Sequence, residues 1–253
     1  MSRAIALFVI WALSLPGTSA SHEQSHRSVK KATLSKPKAK RTHRAFKRKP
    51  RLQFTVLRFS RERDLWLPQI FSGLTAAQVK TKTKADYVFT LGFLDIRKVR
   101  GARMYRPINL HIIEGTIKIP AFFPEEKVIA DFPLPWEGVT IFDSVAICLS
   151  YGTPVAACGL MRIPPVPGEK TGRRIWATKG GYFFVVSYFG TRTDGLRIAK
   201  NYGFESSAHS DGGHMISSHA RGASFALIFK GKRQLATAGL FNPIANFSAV
   251  GAW

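Results

Sequence analysis

The densest group of side chains able to do chemistry is His209-Ser210-Asp211-Gly212-Gly213-His214, with His219 five residues further on. Asp211 is an acid/base or electrostatic candidate, and the histidines can move a proton near neutral pH or ligate a metal. The adjacent glycines allow a backbone to approach a ligand closely. His214 and His219 have a His-x4-His spacing that zinc sites use, but a Gly-Gly turn stands within the group. The same segment also reads as a polar loop joining two strands. The sequence has no G-x-S-x-G, phosphate-binding P-loop, H-E-x-x-H or C-x-x-C pattern, and the Ser, His and Asp near Asp211 do not by themselves make a triad, which geometry and not spacing defines. It implies no particular cofactor.

The elements that must hold this group read mostly as β. Gln53–Phe59, Tyr87–Leu94, Ile108–Ile113, Thr116–Ile119 and Val145–Leu149 are strand candidates. Tyr182–Phe189 (YFFVVSYF) is nearly continuous in aromatic and β-branched residues, as a strand buried on both faces would be. Phe225–Phe229 is another strand, and Lys230-Gly231-Lys232 after it is a hairpin turn signal. Thr75 is placed to cap one short helix. Asp194 is placed to cap a second that ends before Gly203. Prolines make Ala121–Gly138 and Ile163–Gly172 irregular loops. The expected fold class is α+β: a mixed, mostly antiparallel sheet flanked by one or two short helices. Cys148 and Cys158 lie ten apart across a Tyr-Gly-Thr-Pro segment, and either a cross-strand disulfide or two buried thiols fits that spacing.

Charge divides the chain. The formal net charge is +23, from 38 Lys+Arg against 15 Asp+Glu, and residues 21–51 carry twelve of the bases with one acid, Glu23. With Val29, Leu34 and Phe46 as its sizeable apolar side chains, that segment cannot offset the entropy of ordering. It reads as a cationic arm, either a tether to an anionic envelope surface or a plain linker, and not as a specific nucleic-acid reader. Before it, Arg3, the apolar run Ala4–Leu15 and the small residues Thr18-Ser19-Ala20 form a three-part signal-peptide pattern. The organisation expected is therefore a leader (1–20), a basic arm (21–51) and a domain (52–253), secreted or periplasmic. No transmembrane helix is expected in the mature chain.

The order of segments resembles the phosphodiester glycosidase (uncovering-enzyme-like) family. That family has an N-G-x-F-F-D block, an S-G-P block, an R-T-A-x-G strand followed by a long hydrophobic strand, and a D-G-G-G-S block after a short helix. Here Thr90-Leu91-Gly92-Phe93-Leu94-Asp95 is similar to the first, and Ala157-Cys158-Gly159-Leu160 stands at the second. Arg173-Arg174-Ile175-Trp176-Ala177 stands at the third, and Asp211-Gly212-Gly213-His214 at the last. Departures fall at Thr90, Leu91, Ala177 and His214. The resemblance implies hydrolysis of a sugar-1-phosphodiester, with Asp95, Asp211 and His214 as catalytic candidates. It implies Arg173, Gly92, Gly159, Gly212, Gly213 and His209 as substrate-binding candidates. The alternative is a catalytically inactive module on the same fold that binds the envelope or another polyanion. The charge pattern makes one direct prediction. Retention of the full chain on heparin should weaken steeply as salt rises, because exposed charges are screened within about 8 Å at physiological ionic strength. Retention that is insensitive to salt would contradict the cationic arm as the attachment.

Overall fold

The structure, a computed structural model, describes residues 52–99, 101–123, 125–133, 138–164, 168–210, 212, 217–219 and 221–243. The leader and the arm, together with Asp211, Gly213 and His214, lie outside the described residues.

Fourteen strands and four short helices are described. In chain order they are β1 (Phe54–Ser60), β2 (Leu65–Thr75), α1 (Ala76–Thr83), β3 (Tyr87–Thr90), β4 (Leu94–Val99), β5 (Ala102–Pro107), β6 (His111–Ile113), β7 (Thr116–Ile119), β8 (Lys127–Asp131) and β9 (Val139–Phe142). Then come α2 (Val145–Ser150), β10 (Ala156–Leu160), β11 (Thr171–Lys179), β12 (Tyr182–Gly190), α3 (Arg192–Tyr202), β13 (Ser206–His209), β14 (Arg221–Phe229) and α4 (Arg233–Thr237). Every recorded strand pair is antiparallel. The strands form a four-stranded sheet (β1-β12-β11-β13), a five-stranded sheet (β7-β6-β10-β8-β9), a three-stranded sheet (β2-β14-β3) and the β4-β5 hairpin. The fold is α+β.

Alternation along the strands determines how the three larger sheets pack. One core takes Phe59, Trp176, Phe183 and Val185 from the four-stranded sheet and Ile129, Ile141, Cys158 and Leu160 from the five-stranded one. Trp66, Ala226 and Ile228 join it from the three-stranded sheet. The residues between them face outward into separate clusters. Ile175, Val186 and Tyr188 pack with Ile198 of α3, and Phe225 and Leu227 with Val79 of α1. Ala157 and Val128 pack with Cys148 of α2. Thus β12, in the middle of its sheet, is apolar on both faces because each meets a different layer.

Several expectations change. Val145–Leu149 is helical, not extended. Ser144 Oγ accepts from the Ile147 backbone N–H at 3.2 Å and caps α2, and a five-residue apolar run has no periodicity to tell helix from strand. The expected loop over Ala121–Gly138 contains β8, with Val128 to Asp131 buried, because its prolines flank the strand and do not enter it. The cap of α3 is Thr191; Asp194 is its third residue and returns the bond to the Thr191 N–H at 2.9 Å, a capping box. Lys230-Gly231-Lys232 turns the chain into α4 and not into a paired strand. The Tyr87–Leu94 run breaks at Gly92, whose φ of +71° ends β3 before β4 begins. Pro68 disguises β2, yet an edge strand tolerates proline where a central one does not. Both cysteines are free and buried. Cys148 packs from α2 onto one face of the β10 sheet and Cys158 points from β10 into the shared core on the other, so the sheet separates them.

Helix α4 is tied to the five-stranded sheet by a buried ion pair in which Arg233 Nη2 donates to Asp131 Oδ1. Burial raises the Asp131 carboxyl to about 7, with Arg233 and then Arg61 only partly opposing the rise. Removing one partner leaves a buried charge unpaired, so Asp131→Ala should cost about 3–5 kcal/mol. An Asp131→Ala/Arg233→Met double variant should recover much of that loss in urea melts; equal destabilisation of both would contradict the pairing.

Candidate functional site

Strand ends from all three larger sheets meet around β11. Arg174, only 5% exposed, extends its guanidinium across to the end of β3. Its Nη1 donates to the Thr90 carbonyl at 3.1 Å and to Thr90 Oγ1 at 3.0 Å, and its Cζ lies 5.0 Å from the Phe89 ring centroid. On the other side, the Ser210 N–H donates to the Arg174 carbonyl at 3.3 Å. One residue earlier, His209 exchanges backbone bonds of 2.8 and 2.9 Å with Met161, just past the end of β10. Ser210 is buried, and its hydroxyl has no partner among the described residues.

A polar floor adjoins these ends. A side chain on Gly92 would come within 3.5 Å of both Cys158 Sγ and His111 Cε1, and within 3.8 Å of Asn109 Oδ1. Across from it, a methyl on Gly159 would overlap the Glu126 carboxylate. That carboxylate is fully engaged. Oε2 accepts from the Leu110 N–H at 3.0 Å, and Oε1 from the N–H groups of Phe122 and Phe123 at 3.2 and 3.1 Å. Asn109 Oδ1 accepts from the Phe93 N–H at 2.8 Å, whereas its buried Nδ2 has no partner among the described residues. His111 Nδ1 meets the Asn109 carbonyl at 2.8 Å. A carbonyl only accepts, so Nδ1 carries the proton and Nε2 accepts from the Ser224 hydroxyl. Burial lowers the His111 pKa to about 4, and the bond to Asn109 only partly opposes this. The ring is therefore neutral at neutral pH.

The pleat of β11 and β13 divides the residues expected from sequence. Arg174 shares the inner face with Trp176, while Arg173 shares the outer face with Ile175 and Ala177 beneath α3. Arg173 donates from Nε to the Gly190 carbonyl at 3.1 Å and from Nη2 to the Glu169 carbonyl at 2.7 Å. His209 is also on the outer side, with Nε2 3.2 Å from Tyr188 Oη. Tyr188 donates its one hydroxyl hydrogen to the Thr191 carbonyl, so His209 donates from Nε2. Burial, and then the charges of Arg173 and Arg192, lower the His209 pKa to about 4. Gly212 packs against the start of β11, where an added Cβ would stand 3.1 Å from the Gly172 carbonyl. Asp95 is on the β4-β5 hairpin opposite Arg106, and its carboxylate accepts from Arg97 Nε at 2.5 Å.

Gly92 and Gly159 thus come together at the inner floor, and Arg173, His209 and Gly212 on the outer side; Asp95 joins neither group. Five polar residues of this region, Arg174, Asn109, Glu126, His111 and Ser224, escape a reading by blocks. For Arg174 a signal existed: of two adjacent arginines, the one in step with Trp176 must enter the core face. The bonds from Asn109 to Phe93 and from Glu126 to Leu110 each span sixteen residues, and no local pattern marks them. Among the described residues no group of three or more His, Cys, Asp or Glu side chains is placed to hold a metal ion.

No protein-family model matches the chain, and no curated protein matches it. Among solved structures, the fold is similar to the catalytic domain of zebrafish N-acetylglucosamine-1-phosphodiester alpha-N-acetylglucosaminidase, which was solved auto-inhibited by its pro-peptide. The match has a TM-score of 0.50 at 10% identity and covers 73% of this chain and 85% of that one. At this identity the likeness is one of fold.

The two histidines generate a pH prediction. An unfolded histidine titrates near 6.5 and folded His209 near 4, so its contribution to stability is complete above pH 6.5 and is lost as pH falls toward 4. His209→Gln should therefore make the stability-pH curve shallower over that window by one proton, about 1.4 kcal/mol per pH unit. An unchanged slope in urea titrations at each pH would show that the ring is not buried neutral.

Proposed function

We propose that this chain is an exported, hydrolase-like protein that acts on a sugar-1-phosphodiester of the cell envelope at the inner face of β11. The observation that carries the reading is a pair of buried polar groups that lack partners among the described residues: Ser210 Oγ, on the strand end beside Arg174, and Asn109 Nδ2, at the floor next to Gly92. Arg174 is held at Thr90, two residues before Gly92. A buried group left unpaired costs about 1–3 kcal/mol, and a polar ligand can supply the missing bonds. Gly92 and Gly159 border the same floor. The likeness in fold to a phosphodiester glycosidase domain supports the assignment, as does the order of the blocks.

In this reading Arg174, rather than Arg173, faces the phosphate, because it shares its face with Thr90 and Ser210. Cleavage separates the anomeric carbon from the phosphate oxygen. The bond electrons leave with the phosphate, and water supplies the hydroxyl to the sugar. The Asp211 carboxylate follows directly after Ser210 and is assigned to the developing positive charge or to the attacking water. A guanidinium stabilises the departing phosphate electrostatically. His209 and Arg173 support the segment from outside, with His209 holding Tyr188 and Arg173 holding Gly190. The leader and cationic arm place the domain at an anionic envelope surface.

The test is release of free sugar by the full chain from a panel of sugar-1-phosphodiesters, beside Asp211→Asn and Arg174→Gln. Each variant should lose on the order of 100-fold or more in kcat/KM; Asp211→Asn should keep its melting temperature near that of the parent, whereas Arg174→Gln should also lower it, because the bonds to Thr90 are lost. Folded parent protein that turns over no member of the panel would replace this assignment with the inactive binding module.

A further inference from the structure

Phe122 and Phe123 are large apolar side chains left in the open, 67% and 44% exposed, with ring centroids 4.7 Å apart and planes crossed at 82°. They do not stand on a slack loop. The Glu126 carboxylate, itself only 2% exposed, accepts both of their N–H groups, and the Glu126 N–H donates back to the Phe123 carbonyl at 3.1 Å. The same carboxylate accepts from Leu110 and fills the space that Gly159 leaves open for lack of a side chain. One carboxylate thus bonds the loop backbone on one side and lies against Gly159, at the border of the floor, on the other. Two adjacent exposed rings held on a buried, hydrogen-bonded carboxylate have a defined place, and exposed apolar side chains so fixed mark a surface that meets a partner.

We propose that Phe122 and Phe123 form a stacking platform for the sugar ring of the substrate. This assignment rests on the phosphosugar reading of the neighbouring site. The apolar face of a pyranose matches an aromatic ring, and two crossed rings present both a face and an edge to it. The Glu126 carboxylate, which bonds the loop and lies against Gly159, links the rings to the floor and favours a sugar already held by its phosphate. Glu125 beside the pair, exposed and acidic, disfavours insertion into an anionic bilayer.

The test is binding by the full chain of three probes: inorganic phosphate, an N-acetylhexosamine 1-phosphate and the free sugar. Calorimetry measures the first two and saturation-transfer NMR the third. The parent should bind the sugar phosphate more tightly than phosphate. A Phe122→Ala/Phe123→Ala variant should bind phosphate within twofold of the parent and the sugar phosphate about tenfold more weakly. Glu126→Gln, which keeps both rings but weakens their anchor, should fall between the two. Equal affinity of parent and double variant for the sugar phosphate would overturn the platform, as would parent affinity no greater for the sugar phosphate than for phosphate. If the parent binds neither anion, the phosphate site itself fails. Saturation transfer from free sugar to the parent, lost in the double variant, would then sustain the platform, and no transfer would end it. Retained sugar binding with loss of cosedimentation with phosphatidylglycerol vesicles would assign the rings to lipid instead.

Discussion

Trp176, Phe183, Trp66, Ile129 and Leu160 come from three different sheets and are buried against one another in a single core, on which the rest of the structure depends. A strand can offer only alternate residues to that core, so its other residues must find a second layer, and α1, α2 and α3 supply one for each sheet. The consequence is strict at the strand ends. A polar residue in step with the core residues is carried inward, to where strands of different sheets converge. A polar residue out of step is carried under a helix.

Arg174 and Arg173 show how much follows from that parity. They are adjacent and chemically identical, yet one is buried against Thr90 and Phe89 while the other holds two backbone carbonyls outside. His209 and Ser210 divide in the same way. His209 shares the outer face with Tyr188, and Ser210 follows Arg174 inward. The buried histidines contribute fixed dipoles and hydrogen bonds, since burial keeps both neutral at physiological pH. Positive charge on the inner face comes from a guanidinium that cannot lose its proton. That is the electrostatics an anionic ligand requires.

The floor shows the complementary use of absence. Gly159 makes room for the Glu126 carboxylate, and the positive φ of Gly92 ends β3 and brings the backbone beside Cys158 and His111. Glycines in such blocks thus act by what they let approach. The contact they permit connects the floor to the Phe122–Phe123 loop, so a rigid scaffold and an exposed loop share one anchor.

The α+β class, most strands and the cap of α1 were legible in the sequence, because alternation, capping residues and turn residues act over a few neighbours. The helix Val145–Ser150 was not, since so short an apolar run satisfies either period. The strand Lys127–Asp131 was hidden by prolines that lie beside it. The face of each arginine was in principle readable from its step relative to Trp176. What lay beyond the sequence was which ends meet: Asn109 with Gly92, Glu126 with Gly159, Arg174 with Thr90. Those pairings arise from sheets closing on a shared core, and the contacts that fix them join residues 84 apart in the case of Arg174 and Thr90. Local propensity determined the pieces of this protein, and long-range packing decided which of its polar residues stand together.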